Sequence, residues 1–336
     1  MNPLSATAPR AIRSIERVVL DGRRAVAGVE VPVLVHQSAT PGPCAVITAN
    51  LHGDETIGVA VAHRLDMWLQ ANPFRGTIAL YPSCNPTGLR AQTRHVPADD
   101  VDLNRLFPGN ARGTSGSRLA ASIWHDLSAR RPDLVVDLHA DAPCALPYVI
   151  VDRPVQSAGE ARRKLGERLL ALADATGLTV LREYPDEAYV QFGLDRSLAG
   201  AVVNVLQTPS VTLEVGPRRW MDSRSVAKAL GATLGILGSC GLVDHVTHPD
   251  STKVEGVWRR APTPRARVAG LFDPRLEPGD RFAKGDVLAW LRTITGDVAE
   301  SIIATDDGVL MSWVEASWVA PGALLGTLGI PDSERL

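Results

Sequence analysis

The feature that most constrains the fold is an alternation of short apolar runs with longer amphipathic segments between residues 31 and 246. Short continuous apolar runs are typical of strands that are buried on both faces of a sheet. Four such strands are predicted, over residues 45–49, 77–81, 134–138 and 211–215. A chain with this pattern needs helices to cover both faces of its sheet.

The amphipathic segments supply those helices. In residues 56–70, apolar side chains recur at helical spacing and form one face, namely Ile57, Val61, Leu65 and Trp68. Two further helices are predicted, one from an N-cap at Ser115 to about residue 130 and one over residues 161–176, stopping at Gly177. The alternation therefore predicts an α/β fold with a mixed, mostly parallel sheet flanked by helices.

The last 80 or so residues show a different pattern. From Glu255 onward, short apolar segments are separated by turn signals such as Glu277-Pro278-Gly279-Asp280 and Asp306-Asp307-Gly308. Regular turns between short strands are typical of a small β-barrel or sandwich. We place a boundary near residue 250, which predicts a catalytic α/β domain over 1–250 and a small β-domain over 251–336.

Composition narrows the function classes. The net charge of -2 gives no field that would attract nucleic acid or an anionic membrane, so neither is expected as a partner. The four cysteines form no Cys-x-x-Cys pair, and we find no signal-peptide core and no apolar run of about 18 residues. We therefore expect a cytoplasmic protein whose metal site, if any, is built from histidines and carboxylates; homo-oligomer formation stays open.

Three residues at the predicted strand ends suit a metal site. His52 and Glu55 follow the strand 45–49 at a strand-to-helix turn, and His139 follows the strand 134–138 directly. In α/β sheets, ligands bind beyond the carboxyl ends of the strands. Two imidazoles and one carboxylate are a usual catalytic zinc set that leaves one position for water. The plainer alternative is that His52 caps a loop and His139 is a buried histidine with a hydrogen-bond partner.

Further polar residues suit a hydrolase. Glu214 lies inside the apolar run 211–215, where a carboxylate is costly unless it is paired or functional, and beside a zinc-bound water it would be a general base. Arg94 could bind a carboxylate or polarise a carbonyl, and Asp102 could fix the tautomer of a metal-bound histidine. The alternatives are a buried Glu–Arg pair for Glu214 and a solvated loop position for Arg94.

Other catalytic templates fail. Residues 113–117 do not form Gly-x-Ser-x-Gly, and the chain has neither a Walker loop nor His-Glu-x-x-His. Four of the remaining histidines are interpreted as surface or packing residues, namely His95, His125, His245 and His248.

Four segments in this order resemble the succinylglutamate desuccinylase/aspartoacylase family, a branch of the zinc carboxypeptidase-like fold. The segments are Asn50-Leu51-His52-Gly53-Asp54-Glu55, Asn85-Pro86 through Arg94 to Asp102-Leu103-Asn104-Arg105-Leu106-Phe107-Pro108-Gly109, Asp137-Leu138-His139, and Thr212-Leu213-Glu214-Val215-Gly216. The resemblance covers most of residues 45 to 216.

The resemblance implies a role for each matched residue. His52, Glu55 and His139 would bind one Zn²⁺ per chain, and Glu214 would be the base. Arg94 would polarise the scissile carbonyl, with Asp102 as the partner of the first zinc histidine. Two further residues, Asn104 and Arg105, would hold a substrate carboxylate. The tail resembles a small β-domain that often borders the active-site entrance in bacterial members.

The sequence departs from the family pattern between Arg94 and Asn104, where the loop is longer than in aspartoacylases and more like bacterial N-acetyl-diaminobutyrate deacetylases. No acyl-binding residue stands out, and Arg196 and Tyr189 are the candidates.

The resulting hypothesis is an amidohydrolase acting on a small N-acyl amino acid. A metallocarboxypeptidase that trims short peptides, and a non-catalytic ligand-binding relative, are the alternatives.

Overall fold

The protein is described here by a computed structural model that covers residues 11–19, 29–244 and 253–332. Sixteen strands lie within these ranges. They are β1 (Ile12–Val19), β2 (Glu30–Gln37), β3 (Cys44–Ala49), β4 (Thr77–Tyr81), β5 (Leu134–Asp141), β6 (Tyr148–Val151), β7 (Thr179–Arg182), β8 (Ser210–Pro217), β9 (Trp258–Arg260), β10 (Gly270–Pro274), β11 (Arg281–Phe282), β12 (Val287–Arg292), β13 (Val298–Ile303), β14 (Gly308–Trp313), β15 (Trp318–Val319) and β16 (Gly326–Pro331).

The same ranges contain seven α-helices, with shorter turns between some of them. The helices are α1 (Ile57–Ala71), α2 (Pro86–Ala91), α3 (Ser115–Ala129), α4 (Gly159–Asp174), α5 (Asp186–Gln191), α6 (Leu198–Ala201) and α7 (Ser223–Ser239). Single 3₁₀ turns cover Leu103–Arg105 and Leu194–Arg196, and a π-helical segment covers Val202–Leu206. None of the helices among the described residues combines the length and the apolar character that crossing a membrane requires.

The strands of the α/β part form a mixed sheet. In the twelve-stranded sheet the order is β1-β2-β4-β3-β5-β8-β6-β7-β9-β16-β14-β11. Strands β4, β3, β5 and β8 are parallel to one another, whereas β2 runs antiparallel to β4 and β6 runs antiparallel to β8. The prediction of a mixed, mostly parallel central sheet flanked by helices is confirmed, and the four predicted strands correspond to β3, β4, β5 and β8.

Helices cover both faces of this sheet because alternate strand residues point to opposite faces. On β3, Ala45 and Ile47 pack in a buried cluster with α1, α4 and α7, whereas Val46 packs in a second cluster with α3. Three of the four residues that define the apolar face of α1 are buried in the first cluster, and Trp68 packs against it partly buried.

Two local predictions were wrong. Ser115 does not cap α3; it is the first residue of the helix, and the hydroxyl of Thr114 accepts a hydrogen bond from the Ser117 amide instead. Strand β5 does not end before His139 but continues to Asp141, which places the histidine within the strand. In both cases the boundary lies one to three residues from its predicted position.

The edge strand β1 is tied to helix α1 by charged groups. The carboxylate of Asp66 accepts hydrogen bonds from Arg13 Nε at 2.7 Å and Nη2 at 3.1 Å. The same carboxylate lies 2.8 Å from His36 Nε2 on β2. Asp66 is only 8% exposed, so one buried carboxylate joins the helix to two strands.

The C-terminal segment, defined here as residues 253–332, is all-β and shares the large sheet. Its strands β9, β16, β14 and β11 extend the sheet beyond β7, and β13-β12-β10-β15 form a separate antiparallel sheet. A buried cluster that includes Leu291 and Trp313 lies between these two layers. Residue 250 lies outside the described residues, so the predicted domain boundary stays a prediction.

Candidate metal centre and its cavity

The turn between β3 and α1 is held in shape by Asn50. This residue has a positive φ of 57°, a conformation that asparagine tolerates better than most residues. Its side-chain amide donates to the backbone carbonyls of His52 at 2.9 Å and Glu55 at 3.0 Å. Gly53 is required at the same turn, because a Cβ there would lie 2.0 Å from the backbone of Gly88. The turn therefore presents His52 and Glu55 in a fixed arrangement.

The structure brings His52, Glu55 and His139 together. One ligand atom from each residue lies within 4.8 Å of the others, and all three residues are buried. Both imidazoles direct Nδ1 at the same carboxylate, with His52 2.7 Å from Oε1 and His139 2.7 Å from Oε2. Two ring nitrogens and a carboxylate converging on one point are the donor set of a catalytic zinc site.

The outward nitrogen of each imidazole also meets a carboxylate. His52 Nε2 lies 3.1 Å from Asp102 Oδ1, as predicted for Asp102. His139 Nε2 lies 3.0 Å from Asp137 Oδ2, a contact that the sequence interpretation missed. Residues two apart on a strand share a face, so the Asp137-Leu138-His139 spacing contained this signal. Carboxylates in this position fix the tautomer and orientation of a metal-binding histidine, which fits a metal centre.

Charge and burial perturb the groups of this cluster. Burial raises the pKa of Glu55, but the two histidines outweigh it and hold that pKa well below its ordinary value. Burial lowers the pKa of His139, yet Asp137 and Glu55 outweigh it, so the pKa is well above the usual one. The negative charge of Glu55 thus favours a positive charge at this centre, which a bound cation can supply.

Glu214 on β8 lies beside this centre. It pairs in register with His139 across the parallel β5–β8 ladder, and it lines the same cavity. Burial is the main cause that raises the pKa of Glu214 to about 8, and the charge of Glu55 adds to it while His139 opposes it. A carboxyl group that titrates near neutrality can take up a proton and give it back.

The predicted arginine and amide groups reach the cavity from the segment after α2. Arg94 Nη2 donates to Asp102 Oδ2 at 3.2 Å, and its Nη1 lies 3.6 Å from Glu55 Oε1. Asn104 is buried, and its side-chain Oδ1 accepts a hydrogen bond from the Leu198 amide at 2.8 Å. Its Nδ2 lies 3.5 Å from His139 Nε2, and the residue lines the cavity. Arg105 uses Nη1 to donate to the Asn104 backbone at 2.7 Å.

Several cavity residues were not identified from the sequence. The cavity is also lined by charged and aromatic groups from β5, β6 and β9, and from the segments that follow β6, β7 and β8. They are Asp141, Tyr148, Asp152, Glu183, Arg218 and Arg260. Burial raises the pKa of Asp152 to about 7, and Glu183 adds to the shift. These residues come from short strands and loops with no distinctive spacing, so only the tertiary structure brings them to the site.

The two candidates for acyl binding do not line the cavity. Arg196 is exposed, and its backbone carbonyl accepts from the Phe107 amide. Tyr189 is buried, and its hydroxyl donates a hydrogen bond to Asp152 Oδ1 at 2.7 Å. It therefore contacts a residue that lines the cavity without lining the cavity itself.

Of the histidines interpreted as surface or packing residues, His125 is exposed and His95 is half-buried against Asp100 Oδ1 at 2.9 Å. His245 and His248 lie outside the described residues.

Comparison with known proteins points to one family. Residues 41–239 match the model of the succinylglutamate desuccinylase/aspartoacylase catalytic domain. An N-alpha-acetyl-L-2,4-diaminobutyric acid deacetylase from Halomonas elongata is 31% identical over 134 residues, which span 38% of this chain and 39% of that protein. The alignment therefore covers well under half the length of that curated relative.

Solved structures share the fold along nearly the whole chain. An aspartoacylase family protein from Mesorhizobium loti has a TM-score of 0.78 at 22% identity, covering 98% of this chain and 100% of its own. The ectoine utilization protein EutE from Ruegeria pomeroyi, in a product-bound structure, also has a TM-score of 0.78, at 23% identity and with 98% and 99% of the two chains covered. At these identities the likeness shows a common fold.

Proposed function

The chain belongs to the succinylglutamate desuccinylase/aspartoacylase family, and from this membership we propose that it is a zinc-dependent amidohydrolase acting on a small N-acyl amino acid. The observation that carries the proposal is the convergence of His52, Glu55 and His139 within 4.8 Å of one another, beside Glu214. These three residues would hold the zinc ion. Co²⁺ or Mn²⁺ could use the same ligands.

A bound zinc ion would supply Lewis acidity to the acyl carbonyl and to the attacking water. The side chains of this protein would do the rest. Glu214 would accept a proton from the water that adds to the carbonyl carbon, and would pass that proton to the leaving nitrogen as the C–N bond breaks. The products would be a carboxylic acid and a free amino acid.

Arg94, Asn104 and Arg105 would orient the substrate. Arg94 lies 3.6 Å from Glu55, close enough to the centre for its guanidinium to stabilise the negative charge that develops on the carbonyl oxygen. Asn104 Nδ2 and the unused edge of Arg105 face the same cavity and suit a substrate carboxylate. Acetylated amino acids are a natural first class to assay, given the name of the Halomonas elongata relative.

The test combines metal analysis with a substrate panel. We expect about one zinc ion per chain, and release of free amino acid from at least one acetyl, succinyl or formyl amino acid. His52→Ala and His139→Ala should lose both metal and turnover, whereas the exposed control His63→Ala should keep both. Short peptides in the panel test the carboxypeptidase alternative. Unchanged zinc content in His139→Ala, or no hydrolysis of any acyl amino acid, would contradict the proposal.

A further inference from the structure

Arg260 reaches the metal cavity from the C-terminal segment. It lies on the three-residue strand β9, more than 40 residues beyond Glu214 in the chain, and it lines the same cavity as His52 and His139. The preceding residue Arg259 does not line the cavity and lies 3.8 Å from Asp332 Oδ1 instead. Neighbouring strand residues point to opposite sides, so β9 aims only one of its two arginines at the site.

The guanidinium of Arg260 is held from two sides. Its Nη1 donates to Glu183 Oε1 at 2.8 Å, and its Cζ lies 5.5 Å from the centre of the Tyr184 ring. Glu183 is itself only 3% exposed and accepts a bond from the Tyr184 amide at 3.4 Å. A charged side chain fixed in this way loses little freedom when it binds a ligand.

Part of the guanidinium is left without a partner. Arg260 Nε is buried and has no hydrogen-bond acceptor in the described part of the chain. Nη1 is the nitrogen that pairs with Glu183, so Nη2 remains available on a side chain that lines the cavity. Buried donors on a charged group are costly to leave unpaired, and an arginine edge with free donors suits a carboxylate.

A second guanidinium faces the same space. Arg105 lines the cavity and engages only its Nη1 with a backbone carbonyl. Burial lowers the pKa of Arg105, and the positive charges of Arg94 and Arg260 act in the same direction, opposed by Asp102 and Glu183. Two guanidiniums that line one cavity are stabilised together when an anion lies between them.

We infer that Arg260 is a second arginine that binds the substrate carboxylate. Arg105 from the α/β part and Arg260 from the C-terminal segment then bind the same anionic group. The inference rests on the proposed function and adds a specificity-determining residue to it. It also gives the C-terminal segment a direct part in substrate selection.

The test compares an acid with its amide. Arg260→Gln and Arg260→Lys are assayed as zinc-loaded proteins with N-acetyl-L-alanine and N-acetyl-L-alaninamide, or with the best acyl amino acid of the panel and its carboxamide. For Arg260→Gln we expect kcat/KM to fall about 10- to 100-fold on the acid, mainly through KM, because a hydrogen-bonded charge pair is lost. For the amide substrate, kcat/KM should change little. For the acid, kcat/KM of Arg260→Lys should lie between the values of wild type and Arg260→Gln.

Arg259→Gln is the matched control, since it removes the adjacent arginine that faces away from the cavity. An equal loss on acid and amide would assign Arg260 a merely structural role and overturn the inference, as would an unchanged KM on the acid.

A calorimetric titration separates this inference from the proposed function. If the wild-type protein hydrolyses no acyl amino acid, the proposed function fails, but the binding of N-acetyl-L-alanine and of its amide can still be measured. Tighter binding of the acid by wild type than by Arg260→Gln supports the carboxylate role. Equal affinities of wild type and Arg260→Gln for the acid would reject the carboxylate role of Arg260.

Discussion

At the level of single residues, Glu214 is half-buried and lies beside the proposed metal ligands. Replacing it by glutamine keeps the shape of the side chain but removes its ability to accept a proton. We expect Glu214→Gln to retain its metal and to lose turnover by about 10²- to 10⁴-fold, the usual contribution of a general base. Steady-state assays and elemental analysis measure the two quantities.

The exposed carboxylate Glu187 provides the control for that substitution, and Glu187→Gln should keep full activity. Full activity in Glu214→Gln would remove this residue from the mechanism.

Asp137 supports the centre through His139. Its Oδ2 lies 3.0 Å from His139 Nε2, and its Oδ1 accepts from the Thr48 hydroxyl at 2.7 Å. We expect Asp137→Asn to weaken zinc binding about 10- to 100-fold, because a neutral amide orients and polarises the imidazole less well. Competition with a chromophoric chelator measures the affinity. Asp174→Asn, on an exposed carboxylate far along the chain, is the control, and equal affinities in all three proteins would disprove the role.

At the level of elements, the Asp66 contacts should determine how firmly β1 and β2 hold α1. Asp66→Asn removes the charge that pairs with Arg13 and faces His36. We expect it to lower the free energy of unfolding by about 1.5–3 kcal/mol at neutral pH, the range for hydrogen bonds to a charged group. Urea unfolding measures the difference, with the exposed Asp100→Asn as a control.

The pH dependence of this contribution has a definite sign. Burial raises the pKa of Asp66, but the hydrogen bonds from Arg13 and His36 outweigh it, so the pKa lies below its ordinary value. Its stabilising effect is therefore complete above the unfolded-state pKa of about 3.9, and is lost as the pH falls through the folded-state pKa. The stability difference between wild type and Asp66→Asn should shrink in acid. A constant difference from pH 7 to pH 3 would contradict this explanation.

Elements with a strong local signal were predictable from the sequence. Strands β3, β4, β5 and β8 and helix α1 each carry enough apolar residues at one period to identify them. Strands β6 and β7 have only four residues each, too few for a periodic pattern, and they pair with strands remote in the chain. The cap of α3 depended on which of two adjacent hydroxyl residues, Thr114 or Ser115, turns towards the helix, and periodicity says nothing about that choice.

The same distinction holds for the site. The convergence of His52, Glu55 and His139 could be predicted because they lie at or next to recognisable strand ends. Arg260 could not, because β9 has three residues and is placed at the cavity by its pairing with β7 and β16, which are remote in the chain.

At the level of the whole molecule, the C-terminal segment shares a core with the α/β part. One buried cluster combines Leu146, Tyr148, Ile150 and Leu181 with Trp258, Val309 and Met311. The loop after β5 is also bonded to β14, with the Leu146 amide donating to the Met311 carbonyl at 2.8 Å. Shared packing of this kind predicts that the two parts unfold together.

Met311→Ala tests that prediction. Met311 is fully buried, so we expect a loss of about 2–5 kcal/mol in the free energy of unfolding, with tryptophan fluorescence and far-UV circular dichroism shifting together. Ile294→Ala, at a side chain that is 92% exposed, should leave the transition in place. A fluorescence transition that moves to lower denaturant while the circular dichroism transition stays would show that the two parts unfold separately.

The Asn50 amide has a consequence for how an ion would be captured. Because this side chain already orders the turn that carries two of the three proposed metal ligands, little conformational entropy would be lost when a cation binds. Little of the coordination energy would then be spent on ordering the turn, and we expect metal uptake without a coupled folding step. A protein made under zinc starvation would then already be folded, and we expect it to gain activity as soon as the ion is supplied.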